Sequence, residues 1–282
     1  MNILITGSNG QLGTEMRNLS AEHPDHRYFF TDIAELDICD REAVQSFVRD
    51  NDIDCIVNCA AYTNVDKAEQ DELTAFKINA GAVANIASTG CKIIHISTDY
   101  VFSGDEHLPC KEDDPVAPRT AYGRTKLAGE KALLAACPEA VIIRTAWLYS
   151  PYGNNFVKTM LRLGKERDTL KVVYDQIGTP TYAGDLAAAI FAAVEAPEWH
   201  AGIYHFTNEG VCSWYDFTIE ILRQAGINCR VLPILSSEYQ YRTPRPNYSV
   251  LDKAKIKYTF NLAIPYWTDS LTKCLNELCK IS

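Results

Sequence analysis

Tyr122 and Lys126 stand one helical turn apart in Tyr122-Gly-Arg-Thr-Lys126, and upstream of them runs Ser97-Thr98-Asp99-Tyr100. Residues four apart share one face of a helix, so this spacing brings an ammonium close to a phenol. The ammonium favours the phenolate by direct Coulomb attraction. Tyr122, with an ordinary pKa of about 10, could then act as an acid or base near neutrality, while Thr98 hydrogen-bonds the same reacting oxygen. A bare Tyr-x-x-x-Lys also occurs as an exposed helix pair, so its meaning comes from its company.

That company is a dinucleotide site. Glycines 7, 10 and 13 follow a short apolar run and open an amphipathic segment. Small residues there let the backbone approach a pyrophosphate, and a helix N-terminus offers N–H donors and positive dipole. The spacing is G-x-x-G-x-x-G rather than the commoner G-x-G-x-x-G, and Gly7, Asn9, Gly10, Gln11, Leu12 and Gly13 are the expected contacts. Asp32 ends the second apolar run, where a carboxylate accepts from ribose hydroxyls and repels a 2′-phosphate. NADH is therefore expected over NADPH, with NADPH accepted. Asp37 and Ile38 are placed to approach the adenine, and Ile33 is a further expected cofactor contact. Ala60, Ala61, Tyr62 and Thr63 follow the third run, where small residues permit backbone contact with the same ligand.

The elements that must position these groups are legible as alternation. Residues 2–6, 27–31, 53–58, 91–96 and 140–145 are short apolar or β-branched runs, each separated from the next by enough chain for a crossover helix. Strands buried on both faces read this way, so an α/β fold is expected: a Rossmann-type doubly wound parallel sheet with ligands at the carboxyl ends of its strands. After about residue 150, Pro151, Gly153, Gly178, Pro180, Pro233, Pro244 and Pro246 interrupt shorter elements, which suggests a smaller C-terminal substrate-binding domain. The expected dinucleotide-binding domain comprises 1–150 plus about 171–206, with segments near Val172–Tyr174, Ala183–Val194 and Ile203–Phe206 returning to it. The substrate lobe then takes about 151–170 and 207–282.

The 282 residues carry a formal charge of −9 and no basic cluster interleaved with aromatics, which argues against nucleic acid as a partner. No apolar run approaches the roughly 18 residues that span a bilayer, so no membrane partner and a cytoplasmic address are expected. Ten dispersed cysteines without a C-x-x-C pair read as reduced structural thiols. Six histidines without H-x-x-x-H make a zinc site unexpected.

The glycine loop, Asn58-Cys-Ala-Ala61, Ser97-Thr98 and Tyr122-x-x-x-Lys126, in this order, resemble the extended short-chain dehydrogenase/reductase superfamily. Within it, Ser97–Phe102, Tyr122–Glu130, Arg144–Tyr149, Gly153–Phe156, Asp175–Thr181 and Arg245–Ser249 resemble the dTDP-4-dehydrorhamnose reductase family. The resemblance implies reduction of the C4 ketone of dTDP-4-dehydro-β-L-rhamnose, with Tyr122 as proton donor, Thr98 beside it and Lys126 also anchoring the nicotinamide ribose. It implies that Asp99 binds sugar hydroxyls, Trp147 lines or stacks on the sugar, and Asn155, Lys158 and Arg245 serve the nucleotide-sugar substrate. Arg242 is open between phosphate contact and a solvated surface charge. Some family members are associated with Mg²⁺ and dimerise through surface glutamates, at positions comparable to Glu15 and Glu277; monomer and homodimer both remain open. A nucleotide-sugar epimerase or dehydratase, or a non-catalytic cofactor-binding regulatory subunit, are the alternatives. Dehydratases of the superfamily carry Asp-Glu after the threonine; here Asp99-Tyr100 lacks the second carboxylate, which favours a reductase.

Overall fold

The computed structural model describes residues 1–239 and 243–281; Arg242 lies outside them. Its strands are β1 (Asn2–Thr6), β2 (Arg27–Thr31), β3 (Cys55–Asn58), β4 (Lys92–Thr98), β5 (Val141–Thr145), β6 (Leu148–Tyr149), β7 (Thr169–Val173), β8 (Ile177–Gly178), β9 (Thr181–Tyr182), β10 (Gly202–His205), β11 (Cys212–Ser213) and β12 (Arg230–Ile234). The helices are α1 (Gln11–Leu19), α2 (Arg41–Asp50), α3 (Val65–Gln70), α4 (Glu72–Phe76), α5 (Ala82–Ala87), α6 (Ala121–Ala136), α7 (Phe156–Glu166), α8 (Ala183–Val194), α9 (Trp214–Gln224), α10 (Ala254–Phe260) and α11 (Trp267–Ile281). A π turn at Lys77–Gly81 joins α4 to α5.

Six strands form one parallel sheet in the order β10-β5-β4-β3-β1-β2. Successive strand residues point to opposite faces, and here both faces are apolar. Ile3, Ile5, Cys55, Val57, Ile94, Val141 and Ile143 meet α1 and α8 on one side. Leu4, Ile56, Ile93 and Ile142 meet α2, α5 and α6 on the other. Burial on both faces is the reason these strands read as continuous hydrophobic runs rather than alternating ones. A separate core around Phe217, Leu271, Val157 and Tyr149 belongs to the C-terminal elements.

Gly202–His205 joins the central sheet beside β5. Thr169–Val173 does not: it pairs in parallel with Arg230–Ile234 and packs against α9. Its alternating burial, with Leu170 and Val172 inward and Thr169 and Lys171 outward, suits a sheet covered on one face only.

The helix that carries Tyr122 and Lys126 is fixed at both ends of its packing. Thr120 caps α6 by accepting from the Gly123 N–H (3.0 Å). A side chain at Gly123 would collide with the carbonyl of Tyr100, so only glycine lets the first turn approach the loop after β4. Beneath the helix, Glu130 accepts two bonds from Arg144 of β5 (2.9 and 2.7 Å) and one from Ser97 of β4 (2.5 Å). Both charged side chains are nearly inaccessible. Removing one partner of such a pair strands the other charge, so Glu130→Ala is expected to lower stability by about 3–5 kcal/mol, read as a shift in the urea unfolding midpoint.

Candidate active site

A cleft of about 880 Å³ runs along the carboxyl ends of β1, β2, β3, β4 and β5. Its walls include Gly7, Gly10, Gln11, Leu12, Gly13, Asp32, Ile33, Asp37, Ile38, Ala60, Ala61 and Thr63 at one end. Thr98, Asp99, Tyr122, Lys126 and Trp147 stand at the other. These seventeen anticipated residues, contributed by distant parts of the chain, are therefore brought together.

The dinucleotide half fits such a ligand on the structure's own geometry. The N-cap of α1 is Gly10, which has no side-chain cap, so the first N–H groups of the helix open toward the cleft. A side chain at Gly13 would collide with the Gly7 carbonyl and the Ser8 backbone, so the turn closes only with glycine there. Asp32 is tied in place: its carboxylate accepts from the backbone N–H groups of Asn9 (3.1 Å) and Ile33 (2.8 Å). Asn9 thus orders the loop through its backbone and is not a cleft wall. Tyr62 is likewise behind the wall, its main chain bonded to the Asn79 amide and its ring packed near Ala68, Ala75 and Ala121.

The chemical half is drier than its sequence suggested. Burial pushes the Tyr122 phenol up to about 12, with the Thr98 hydroxyl pulling the other way and Asp99 adding to the rise. Thr98 donates to Asp99 Oδ1 at 2.9 Å. Burial also pushes Asp99 up to about 7; Ser249 lies near, yet Oδ2 has no hydrogen bond of good geometry. Lys126 is buried as well and pushed down to about 8. Its amine bonds the Ile96 carbonyl (2.6 Å) and His95 Nε2 (3.3 Å), not the phenol. Direct ammonium stabilisation of a phenolate, expected from the spacing, is not the arrangement seen here: burial is the largest influence on the phenol, and the amine bonds elsewhere.

Trp147 holds a left-handed φ of 48°, unusual for a bulky residue. Its indole stacks on Trp214 of α9 with centroids 3.5 Å apart, which steadies it against that strain. Asn155 and Lys158 are not walls of the cleft. Asn155 caps α7 and donates to the Gln11 side chain (2.9 Å), joining α7 to the glycine loop. Lys158 donates to the Pro151 carbonyl (3.2 Å). Arg245 pairs with Asp66 (3.0 Å) and lines a small neighbouring cavity that shares Tyr100 with the cleft; its Nη1 is buried without a partner.

The expected surface role of Glu15 is corrected: it is buried, accepts from Ser150 (2.8 Å), and burial raises its carboxyl. Glu277 pairs with Lys280 (2.5 Å). Among the described residues no group of three or more His, Cys, Asp or Glu could hold a metal, so the Mg²⁺ association finds no support. Sequence reading missed Thr74, Lys77 and Ile78 as cleft walls, along with Trp214 and His95 as supports. His95 had one visible signal, a polar residue inside an otherwise apolar strand.

A parallel dinucleotide sheet with Tyr122, Lys126 and Thr98 at its carboxyl edge defines a reductase of the short-chain dehydrogenase/reductase class. The chain belongs to the family described as RmlD substrate binding domain, whose model matches residues 1–280. It is 42% identical over 296 residues to dTDP-4-dehydrorhamnose reductase of Escherichia coli (strain K12), covering 99% of this chain and 98% of that one. Among solved structures it resembles a dTDP-4-dehydrorhamnose reductase of Clostridium acetobutylicum ATCC 824, with a TM-score of 0.95 and 43% identity over 99% of this chain and 100% of that one. It also resembles dTDP-4-dehydrorhamnose reductase of Bacillus anthracis str. Ames in complex with NADP, with a TM-score of 0.93 and 38% identity over 98% and 99% of the two chains.

Gly13→Val is expected to leave the circular dichroism of the fold intact and weaken dinucleotide binding by more than about tenfold, or 1.4 kcal/mol, as read by calorimetric titration with NADH and NADPH.

Proposed function

We propose that this protein reduces the C4 ketone of dTDP-4-dehydro-β-L-rhamnose to dTDP-L-rhamnose, using NADH or NADPH. The observation that carries this reading is the convergence of Tyr122, Thr98 and Asp99 at the far end of a dinucleotide cleft. The bound nicotinamide supplies hydride to the carbonyl carbon. Tyr122 supplies the proton to the carbonyl oxygen, and the burial that raises its pKa keeps it in the protonated form that a reduction requires. Thr98 steadies the phenol and the same oxygen. Asp99 offers its unpartnered oxygen to a sugar hydroxyl, and Trp147 forms one wall of the sugar site. Lys126 anchors the nicotinamide ribose.

Tyr100, which stands where a dehydratase would place its second acid, is half-buried, with Arg245 close to its phenol. No carboxylate from that position can assist an elimination, which supports the reductase over the dehydratase. The paired Asp32 supports a preference for NADH, and the NADP complex of the Bacillus anthracis relative supports acceptance of NADPH. The dinucleotide-binding unit is taken as residues 1–150 with α8 and β10, and the β7–β12 pair is assigned to the substrate lobe. A cytoplasmic address agrees with ten free cysteines and with the absence, among the described residues, of a helix long and apolar enough to cross a membrane. The molecule acts as a monomer or homodimer.

Incubation with dTDP-4-dehydrorhamnose and either cofactor is expected to give one dTDP-L-rhamnose per dinucleotide oxidised; binding of cofactor without oxidation would overturn the reading. Tyr122→Phe should retain cofactor binding and lower kcat by about 10²–10⁴-fold. Asp32→Ala should raise kcat/KM for NADPH relative to NADH by about tenfold, a change of 1.4 kcal/mol.

A further inference from the structure

A nucleotide sugar brings an anionic diphosphate, and among the described residues most cations at or beside the cleft already have other work. Lys77 stands by Cys39 at the dinucleotide end. Lys126 bonds the Ile96 carbonyl (2.6 Å), and Lys158 bonds the Pro151 carbonyl. Arg119 is answered by Asp105. Arg245 remains, beside the phenol of Tyr100, which lines both the cleft and the small cavity behind it.

The pairing of Arg245 is incomplete on both sides. Its Nη2 donates to Asp66 Oδ2 at 3.0 Å, but Nη1 and Asp66 Oδ1 are both buried without a hydrogen-bond partner. A guanidinium that meets a carboxylate squarely makes two parallel bonds; this contact is offset by one arm. Each orphaned atom carries a desolvation cost that no bond offsets, so the pair is easier to part than a full fork. Its ends differ in freedom. Asp66 is 39% exposed and Arg245 21%, so the carboxylate can return to water. The backbone after Arg245 is anchored, because Asn247 and Tyr248 donate to the Gly104 carbonyl (3.1 and 3.0 Å). The parts free to move are the side chains. The small cavity measures about 30 Å³, room for water and not for a diphosphate. An anion in the cleft therefore meets Arg245 only when the guanidinium turns away from Asp66.

We propose that Asp66 is a specificity-determining residue: it serves as the internal counter-ion of Arg245 while the sugar site is empty, and the diphosphate of a nucleotide sugar takes Arg245 from it on binding. This rests on the substrate class proposed above. Asp66 lies in the first turn of α3, next to the cleft wall Val65. Its charge opposes any anion that approaches Arg245, so only a ligand that offers more charge than one carboxylate gains by the exchange. A neutral sugar gains nothing by parting the pair, whereas a diphosphate accepts the freed guanidinium through two oxygens. The exchange thus selects diphosphate-bearing sugars over neutral ones.

Calorimetric titration of the NADH-bound protein with dTDP tests this without any reduction taking place. Asp66→Asn keeps the side-chain shape and an acceptor for Arg245 but removes the competing charge. The Kd for dTDP should fall by about two- to fivefold, the size of one half-exposed ion pair, with NADH binding unchanged. Arg245→Gln should raise that Kd, and in its background Asp66→Asn should bring no gain, because the two residues act on the anion as one unit. A Kd that stays or rises in a folded Asp66→Asn protein, or a gain that persists without Arg245, would overturn the proposal. Should the variant fail to fold, a crystal structure of the wild-type protein with dTDP decides: the pair must be parted, and Asp66 still bonded to Arg245 sinks the idea. If the titrations hold while the sugar ketone is not reduced, the proposed activity fails and the exchange stands. If the ketone is reduced while dTDP binding ignores Asp66, the exchange fails alone.

Discussion

Charge buried under one helix is the constraint on which the rest of the site depends. Lys126, Glu130 and Arg144 are each at most 2% exposed, and an ion in a low-dielectric interior must be paired or lose its charge. Glu130 pairs with Arg144 and accepts from Ser97, which binds α6 to two adjacent strands at once. Lys126 has no carboxylate of its own to answer it. Desolvation therefore lowers its basicity, and its partners are a carbonyl and an imidazole. The register of α6 over the sheet is fixed by these bonds, and with it the place of Tyr122.

The same dryness gives Tyr122 its protonation state. In water an adjacent ammonium would pull a phenol toward ionisation; here the loss of solvent dominates and the proton stays. A protonated phenol next to Thr98 and Asp99 is arranged for donation to a carbonyl oxygen, the direction of a reduction. The two ends of the cleft meet because parallel strands deliver all their carboxyl ends to one edge, where the glycine loop, the alanine turn and the end of β4 are neighbours. The C-terminal elements close the far side through the Trp147–Trp214 stack and the Asn155–Gln11 bond.

Much of this was legible in the chain. Runs such as Cys55–Asn58 and Lys92–Thr98 declare doubly buried parallel strands, and the cleft walls from Gly7 to Thr63 follow from where those strands end. Asn9, Tyr62, Asn155, Lys158 and Arg245 were harder. Each belongs to a segment near the cleft, yet Asn9 and Tyr62 are held through their backbones, and Asn155, Lys158 and Arg245 turn their side chains to a helix cap, a carbonyl and Asp66. Proximity in sequence to a motif reports where the backbone goes, not which way a side chain settles. Thr169–Val173 illustrates the same limit, since an apolar strand carries no mark of which sheet will accept it.

The sequence by itself determined the alternation of strands and helices, the glycine turn and the pairing of Tyr122 with Lys126 on one helix face. These depend on local spacing, on glycine at positions where a side chain cannot fit, and on hydrophobic periodicity. Only the tertiary structure decided the directions in which burial shifts Tyr122 and Lys126, the burial of Glu15 and the chain from Thr6 through Asn58 and His95 to Lys126. Desolvation and hydrogen-bond polarity depend on which atoms surround a group in space, and those atoms come from strands and helices far apart in the chain.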